Sequence, residues 1–310
     1  MPQVSIIIPT HNRPHLFPRA VASAQAAGED VEVIVVDDGS RDETATVCEG
    51  LSGIKYVRLE RNQGVAAARN VGIFSSSSQY IAFLDDDDLR FPGSLDLQRD
   101  ILAANPEAGF ICGGIVMADQ DYIETGQISL PRQSGDVFWA ILELDFPVMP
   151  LSVIVRKDCF LRVGLFNQHL RGIDDWDMLV RIAEVYPVLV TDQPVAIYRK
   201  PTSFSAQGSS SQASQLLRAV VHQRQLFQLP RARGVPSSKR REARRRTINR
   251  VADTLLWNAL DRFPRGEYRF AIENVGAAMR LNPLRAARPG AYMKVLMRFL
   301  NSRGLRSNMS

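Results

Sequence analysis

Residues 80–89 read YIAFLDDDDL, so a short apolar run leads directly into four consecutive aspartates, Asp85–Asp88. The run Tyr80–Leu84 has the length and composition of a buried strand. Two carboxylates about 4 Å apart repel each other by roughly 1 kcal/mol in water and by about 4 kcal/mol at an effective dielectric near 20. A divalent cation would remove that cost. The stretch therefore predicts a buried strand that ends in a charged site.

Two similar apolar runs precede this strand, at Val4–Ile8 and Val31–Val36, and helical patterns at His15–Ala27 and Gly64–Phe74 separate the three runs. These connections are too long for hairpins, so we predict an α/β fold with a mostly parallel sheet and helices on both faces. Ligands bind beyond the carboxyl ends of the strands in such sheets. Further helices are predicted at 44–51, 93–104 and 173–185. Further strands are predicted at 56–59, 110–117, 153–155, 188–190 and 196–198.

The aspartate cluster is a candidate metal site. Alternate residues of an extended chain face the same way, so Asp85 and Asp87 can point together. Mg²⁺ or Mn²⁺ is usually held by one or two carboxylates together with substrate phosphates. The alternative is a solvated acidic turn, or a cap for the next helix.

A second acidic turn follows the strand VIVV, where residues 37–40 read DDGS. A carboxylate at Asp38 could accept a hydrogen bond from the imide N–H of a uracil or thymine base, or from a ribose hydroxyl. Asp-Gly and Gly-Ser are also ordinary turn formers, which is the alternative. Together with the aspartates at 85–88, this turn favours a nucleotide pocket.

The motifs SIIIPTHNRP, VIVVDDGSRDET, NQGVAAARNVGI, YIAFLDDDDLRFPGSL, MPLSVIVRKDCFLRVGLFN, GIDDWDMLVRI and YRK occur in this order. The ordered set resembles the family 2 glycosyltransferases, which have the GT-A fold, over roughly residues 3–205. The resemblance implies an inverting transfer of a sugar from a nucleoside diphosphate donor, with Mn²⁺ or Mg²⁺ as cofactor. It implies a metal site at Asp87 with Asp85, and donor-binding roles for Pro9, Thr10, Asn12, Asp38, Asn62, Arg69, Asp85 and Asp86.

The family carries its catalytic base in an acidic pair that opens a helix. Asp175 matches the base position, and Asp174 stands where relatives often have Glu, which leaves the choice between the two open. One carboxylate base and one metal suffice for inversion, because the metal holds the charge of the departing diphosphate. The alternative role for the pair is helix capping. Trp176 is expected to stack on an acceptor sugar or to belong to the core.

Many relatives carry a His after the Tyr-Arg of the last strand, whereas this chain has Lys200 after Arg199. Either cation could neutralise phosphate there, or be an ordinary surface charge. The expected donor is a UDP- or dTDP-sugar. The expected acceptor is a saccharide or a lipid-linked intermediate in the synthesis of a cell-surface polysaccharide or glycolipid.

The charge is divided unevenly along the 310 residues. Residues 1–230 carry 19 Lys+Arg and 28 Asp+Glu, whereas residues 231–310 carry 19 and 5. The basic run KRREARRR, Lys239–Arg246, is either a solvated helix face or a contact with an anionic membrane, and no nucleic acid partner is expected. An apolar face at 292–300 suits either membrane contact or internal packing. Three scattered cysteines and the lack of an apolar run near 20 residues predict a cytoplasmic protein, either free or peripheral on the cytoplasmic membrane face.

We expect a catalytic domain at 1–205, with a donor-binding part at about 1–117 and an acceptor-binding part at about 118–205. A linker or mobile loop is expected at 206–214, where a lid could form, and a basic helical region at 215–310. The alternative functions are a metal-dependent nucleotidyltransferase or phosphohydrolase, and a non-catalytic protein that binds sugar nucleotides.

Overall fold

The structure is a computed structural model that describes residues 2–131, 133–200 and 211–287. These residues divide into two compact units. The first consists of the residues up to Ile141 and of Asp145–Lys200, and the second of Leu142–Leu144 and the described residues after Lys200. The predicted domain boundary at 205 lies outside the described residues, and so do residues 206–210 of the predicted linker.

The strands of the first unit are β1 (Val4–Thr10), β2 (Val31–Asp37), β3 (Ile54–Arg58), β4 (Tyr80–Phe83), β5 (Leu89–Arg90), β6 (Phe110–Ala118), β7 (Glu124–Ser129), β8 (Val153–Arg156) and β9 (Val188–Arg199). Within the described residues they form one sheet in the order β3-β2-β1-β4-β8-β6-β9-β5, with β7 paired to β6. The neighbours among β3, β2, β1 and β4 are parallel. β8 then runs antiparallel to both β4 and β6, whereas β6 and β9 are parallel.

The register of the first strands decides where the acidic turns meet. Thr10 pairs with Asp37, and Ile7 pairs with Phe83. Both acidic turns therefore leave the sheet at the same edge as the end of β1. The three apolar runs are buried, as a strand covered on both faces requires.

Helices pack on both faces of this sheet, as predicted. They are α1 (Phe17–Ala26), α2 (Thr44–Glu49), α3 (Val65–Ser75), α4 (Ser94–Ala103), α5 (Phe138–Leu142), α6 (Cys159–Val163) and α7 (Asp174–Val185). Ile6 and Ile8 share one core with Phe17 of α1 and Leu95 of α4. Ile7 points to the opposite face, because strand side chains alternate, and there it meets α3.

Gly72 of α3 allows that helix to lie close to β1. A Cβ atom at this position would be 2.3 Å from Cγ2 of Ile7, a branched atom near the backbone that has little freedom to move. We expect Gly72→Ala to lower the free energy of unfolding by about 1–3 kcal/mol through overpacking, although alanine is the better helix former by about 0.8–1 kcal/mol.

Gly276 provides the matched control for this substitution. It lies in a helix of the second unit, and no atom of another described element is within 4 Å of the position that an alanine methyl group would take. Gly276→Ala should therefore raise stability by up to about 1 kcal/mol. Urea denaturation of both variants measures the difference, and a Gly72→Ala protein as stable as the parent would contradict the packing argument.

Three parts of the sheet differ from the sequence predictions. The strands predicted at 188–190 and 196–198 are one continuous strand, β9, whose register against β6 shifts on either side of Gly114. The polar residues between the two apolar segments lie in that strand. β5 and β7 were not predicted, because β5 has only two residues and β7, ETGQIS, is almost entirely exposed.

The second unit is helical, as predicted. It contains α8 (Ala213–Leu226), α9 (Pro230–Arg233), α10 (Ser237–Arg262), α11 (Tyr268–Leu281) and α12 (Pro283–Ala286). Val220, Val251, Leu255 and Ala277 contribute to its core. The apolar face predicted at 292–300 lies outside the described residues. Among the residues that the structure describes, no helix has the length and apolar character needed to cross a bilayer.

Candidate functional site

The aspartates of residues 85–88 form a cluster of carboxylates beyond the end of β4. Asp86 and Asp88 are buried, whereas Asp85 and Asp87 are partly exposed. Thr10 Oγ1 donates a hydrogen bond of 2.8 Å to Asp86 Oδ2. Pro9 lies within β1, where it pairs with Val36. The four aspartates are not an extended segment, because the N–H of Asp88 donates to the carbonyl of Asp85 at 3.1 Å and closes a turn, but Asp85 and Asp87 are the accessible members.

Arg13 supplies positive charge to Asp86 and Asp87 in this cluster. Its Nη1 atom lies 2.7 Å from Asp86 Oδ1 and 3.2 Å from Asp87 Oδ2. Burial nevertheless raises the pKa of Asp86 to about 6, against the opposing effect of Arg13. Burial also raises the pKa of Asp87. One arginine therefore compensates this cluster only in part.

The donor set fits a divalent cation that is shared with a ligand. Within the described residues, no group of three or more Asp, Glu, His or Cys side chains could hold a metal ion. Hard cations such as Mg²⁺ accept one or two carboxylates when substrate phosphates complete the coordination. Asp85 and Asp87 are the accessible carboxylates that could serve in this way.

Asp88 connects the aspartate cluster to the end of strand β9. Its Oδ1 atom accepts a hydrogen bond of 2.8 Å from the backbone N–H of Arg199 at the end of β9. Burial and the neighbouring carboxylates of Asp85 and Asp87 raise the pKa of Asp88. The next helix, α4, has Gly93 at its N-cap and no side-chain cap, so the expectation that Asp88 could cap it is wrong.

Asp38 holds the loop that leads into α3. Its two carboxylate oxygens accept hydrogen bonds from the backbone N–H groups of Gln63 (2.7 Å) and Gly64 (2.8 Å). Asn62, immediately before them, is exposed. Asn12 ties the end of β1 to the second turn, because its Oδ1 accepts from the N–H of Arg41. Contact of Asp38 with a nucleotide base stays a prediction.

Arg69 links the two acidic regions, although Asp174 lies 105 residues further along the chain. It belongs to α3, and its side chain is 5% exposed. One nitrogen, Nη2, is 2.7 Å from Asp85 Oδ1, and the other, Nη1, is 3.3 Å from Asp174 Oδ2. Its Nε is buried without a hydrogen-bond partner among the described residues. The guanidinium thus fixes the position of α7 relative to the carboxylates at the end of β4.

The two members of the acidic pair have different surroundings. Asp174 is buried against Arg69, whereas Asp175 is partly exposed. Oδ1 of Asp175 accepts from the N–H of Trp176, and within the described residues its Oδ2 accepts no hydrogen bond. Burial and the adjacent carboxylate of Asp174 raise the pKa of Asp175 to about 6. Asp175 therefore has a carboxylate oxygen that accepts no hydrogen bond, and it is better suited than Asp174 to act as a base near neutral pH.

Capping does not explain this pair. The N-cap of α7 is Ile173, without a side-chain cap, and both aspartates lie inside the first turn. Asp177, in the same turn, has a separate role, because it pairs with Arg181 at 2.8 Å. Arg181 in turn donates to the carbonyl of Leu165, which anchors α7 to the preceding loop.

The remaining predicted residues lie around the edges of the site. Trp176 is partly buried, and its Nε1 donates to the carbonyl of Ile141 at 2.7 Å, so the ring is anchored on α5. Arg199 Nε donates to the carbonyl of Gln120. Lys200 is exposed, and its N–H donates to the carbonyl of Ala118. Binding of acceptor or phosphate by these residues stays a prediction.

Sequence reasoning missed two residues of the site, Arg13 and Tyr122. Tyr122 lies between two guanidinium groups, 4.7 Å from that of Arg19 and 5.3 Å from that of Arg199. Its hydroxyl donates to the backbone carbonyl of Asp87 at 3.1 Å. Arg13 follows β1 within a quoted motif, so its place at the strand end was the available signal. Tyr122 lies in a loop outside all the quoted motifs, so the sequence contains no signal that identifies it.

A known protein family matches the part of the chain that contains both acidic turns, Asp37–Ser40 and Asp85–Asp88. Residues 5–154 match the model of the family described as glycosyl transferase family 2. This region is just under half of the chain and does not include Asp174 and Asp175. Over this region the chain is similar to family 2 of the glycosyltransferases.

Two curated relatives have similar sequences. An uncharacterized glycosyltransferase of Haemophilus influenzae is 30% identical over 190 residues, which are 58% of this chain and 62% of that protein. The succinoglycan biosynthesis protein ExoU of Rhizobium meliloti is 48% identical over 96 residues, 30% of this chain and 28% of that protein. The chain therefore spans less than two thirds of either relative.

A solved structure shares the fold. Staphylococcus aureus TarS 1–349, in complex with UDP-GlcNAc, superposes with a TM-score of 0.56 and 17% sequence identity, over 90% of this chain and 91% of that one. The predicted fold class, a GT-A sheet flanked by helices with a helical C-terminal region, is confirmed.

Proposed function

We propose that this chain is an inverting glycosyltransferase that moves a sugar from a nucleoside diphosphate donor to an acceptor hydroxyl. The observation that carries the proposal is the meeting of two acidic regions through Arg69. One region, at Asp85–Asp87, suits a metal and a diphosphate, and the other, at Asp174–Asp175, suits a base. A single-step inversion needs these two groups of carboxylates on opposite sides of the reacting carbon.

The donor is proposed to be a UDP- or dTDP-sugar. The similar TarS structures contain UDP or UDP-GlcNAc. In this chain, the nucleotide base of the donor would lie between the end of β1 and the turn at Asp38, close to Asn12 and Asn62. Thr10 and Asp86 are held against each other at the same edge, where they could contact the ribose or the donor sugar.

Asp87, with Asp85, would hold Mn²⁺ or Mg²⁺. When bound, such a cation neutralises the negative charge that develops on the departing diphosphate. Tyr122 keeps the backbone of Asp87 in place through its hydrogen bond to the carbonyl. Arg13, which contacts both Asp86 and Asp87, lies where it could also bind the diphosphate.

Asp175 is proposed to be the general base. Its unbonded oxygen would take the proton of the acceptor hydroxyl as that oxygen attacks the anomeric carbon from the face opposite the diphosphate. Asp174 is the positioning residue, because its pairing with Arg69 fixes the first turn of α7. Trp176 would border the acceptor.

The acceptor is proposed to be a saccharide, free or lipid-linked, in polysaccharide or glycolipid synthesis. The named relatives ExoU and ExoO of Rhizobium meliloti are succinoglycan biosynthesis proteins. ExoO is 30% identical over 203 residues, which are 62% of this chain. The names of both relatives support a polysaccharide product for this chain.

A thermal-shift panel of nucleotide sugars, with and without Mn²⁺, tests the proposal. A ligand that binds the folded state raises its melting temperature, so the true donor should give a shift that requires the metal. Product analysis then separates the reaction classes. Free nucleoside diphosphate supports glycosyl transfer, whereas pyrophosphate or inorganic phosphate would indicate a nucleotidyltransferase or phosphohydrolase. Binding without turnover would indicate a non-catalytic protein.

Asp87→Asn is expected to abolish the manganese-dependent part of the donor thermal shift. The amide keeps the shape of the side chain but loses the charge that would hold a cation. The fold should survive, because the pKa of Asp87 is raised and its charge is therefore destabilising. Asp121→Asn, which removes an exposed carboxylate from the β6–β7 turn, is the control and should leave the shift unchanged. An undiminished shift in Asp87→Asn would exclude Asp87 as a metal ligand.

A further inference from the structure

The basic run Lys239–Arg246 divides into side chains with different environments. Arg246 pairs with two carboxylates, Glu143 at 2.7 Å and Glu242 at 2.9 Å. Arg240 instead donates to backbone carbonyls, including that of Val235 at 2.7 Å. Arg244 donates to the carbonyl of Val220 at 3.0 Å. Carbonyl oxygens carry no net charge, so the positive charges of Arg240 and Arg244 remain uncompensated.

These carbonyl contacts bring exposed arginines together from three helices. Arg240 also donates to the carbonyl of Arg233, which places the end of α9 beside the first turn of α10. Arg244 lies against α8 at Val220, one turn before Arg224. The side chains of Arg241 and Arg245, four residues apart, share one face of α10. We call this set the arginine patch; its members are Arg224, Arg233, Arg240, Arg241, Arg244 and Arg245.

The arginine patch has almost no acidic partners. Residues 213–250 contain eleven Lys and Arg but only one acid, Glu242. Within the described part of the chain, the exposed members Arg224, Arg233, Arg241 and Arg245 form no ion pair. Burial and the charge of Arg224 lower the pKa of Arg244, so these two cations repel each other. Such repulsion is relieved when an anionic partner covers the surface.

The surroundings of the patch favour a lipid surface as that partner. Val221 lies on α8 between Val220 and the turn that carries Arg224, and it is 66% exposed. An apolar side chain among arginines suits the boundary between headgroups and acyl chains. Phe227, the aromatic residue that ends α8, is buried and is not available to stack on a base. Exposed cations on three helices also cover more area than one small anion.

We propose that the arginine patch docks the helical unit on the surface of a bilayer that contains anionic phospholipids. The inference does not depend on the transferase activity, because it concerns only the second unit. The sequence alone made the whole run Lys239–Arg246 a candidate for membrane contact. The structure changes this in two ways, because Arg246 is paired with carboxylates within the unit and the proposed contact surface extends onto α8 and α9.

Vesicle binding by the full chain tests this proposal. Phosphatidylcholine vesicles, with and without about 30% phosphatidylglycerol, would be sedimented with the parent protein and with the double variant Arg241→Gln/Arg245→Gln. The parent should bind only the anionic vesicles, and salt should weaken the binding. Each basic residue near the surface contributes about 1 kcal/mol, so the double variant should bind about 30-fold more weakly.

A control variant with the same change in net charge separates the patch from overall charge. Arg265→Gln/Arg269→Gln removes two cations that pair with Asp261 and Glu273 elsewhere in the unit. It should bind anionic vesicles nearly as well as the parent. Donor thermal shifts should be the same for all three proteins, which shows that the catalytic unit is intact.

Several results would overturn the proposal. The patch is not a docking surface if the parent ignores anionic vesicles, or if the two double variants lose equal affinity. Displacement from vesicles by millimolar inorganic phosphate would instead indicate a small-anion site. Tighter binding to a fluorescent oligonucleotide than to anionic vesicles, with the same loss in Arg241→Gln/Arg245→Gln, would indicate a nucleic acid site.

Discussion

Asp175→Asn is expected to lower kcat by about 10²–10⁴-fold, which is the usual contribution of a positioned general base. The amide has the shape of the carboxylate but cannot accept the acceptor's proton. Donor affinity should change little, because within the described residues the carboxylate of Asp175 is hydrogen-bonded only to the N–H of Trp176 and not to a residue proposed to bind the donor. The measurements are kcat with the identified acceptor and the donor-induced thermal shift.

The pH dependence of the parent enzyme provides a second test of Asp175. Burial raises the pKa of this carboxyl to about 6, and only the deprotonated form can act as a base. Turnover should therefore be constant well above that pKa and should fall as the pH drops through about 6. The residual activity of Asp175→Asn should lack this inflection.

Asp177→Asn is the matched control, because it changes the same helical turn. It breaks the ion pair with Arg181. It should lower stability while keeping the pH profile of turnover. Full activity in Asp175→Asn, or loss of the inflection in Asp177→Asn, would show that the base has been assigned to the wrong residue.

Arg69→Met is expected to lower the free energy of unfolding by about 3–5 kcal/mol near pH 8, as breaking a buried ion pair usually does. Methionine fills much of the volume but leaves Asp85 and Asp174 without their counterion. Arg69 now lowers the pKa of Asp174, although burial still raises it above the ordinary value. Without the guanidinium, the pKa values of both aspartates at the start of α7 should rise further.

The stability loss should depend on pH in one direction. A carboxyl whose pKa is higher in the folded than in the unfolded protein is least favourable when it is ionised. Protonation below that pKa removes the uncompensated charge, so the deficit of Arg69→Met should shrink as the pH falls from about 8 to about 5. Urea denaturation at both pH values gives the comparison.

Two further variants make this test informative. Arg13→Met also removes an arginine between two carboxylates, but its side chain is 26% exposed, and of the two remaining charges Asp87 is partly exposed to water. It should cost clearly less stability than Arg69→Met. Arg69→Lys keeps a positive charge at this position and should retain part of the stability. It can therefore be measured in place of Arg69→Met if that variant does not fold. A deficit below about 1 kcal/mol, or one independent of pH, would contradict the role of Arg69.

The sequence predicts most of the parallel part of the sheet because its strands are continuous apolar runs. β1, β2 and β4 are buried on both faces, so their composition identifies them without knowledge of their neighbours. β7 could not be found in this way, because an exposed strand has no apolar pattern. The polar segment within β9 is strand only because it pairs with β6.

The candidate site was predicted as a set of residue types but not as a network. The carboxylates at Asp85–Asp87 and Asp174–Asp175 are visible in the sequence. The bridge by Arg69, the pairing of Arg13 and the hydrogen bond from Tyr122 to Asp87 depend on contacts between distant segments. The two backbone contacts of Asp38 also depend on how the loop before α3 folds back.

Arg69 divides a single positive charge between Asp85, a proposed metal ligand, and Asp174, the neighbour of the proposed base. A cation arriving beside Asp85 would weaken the hold of that carboxylate on the guanidinium, and the arginine would then act more strongly on Asp174 and its neighbour. In the proposed function, the proton affinity of Asp175 would thus be linked to donor occupancy through the two ion pairs of Arg69. Such coupling would favour an ordered mechanism, in which the nucleotide sugar binds before the acceptor is deprotonated.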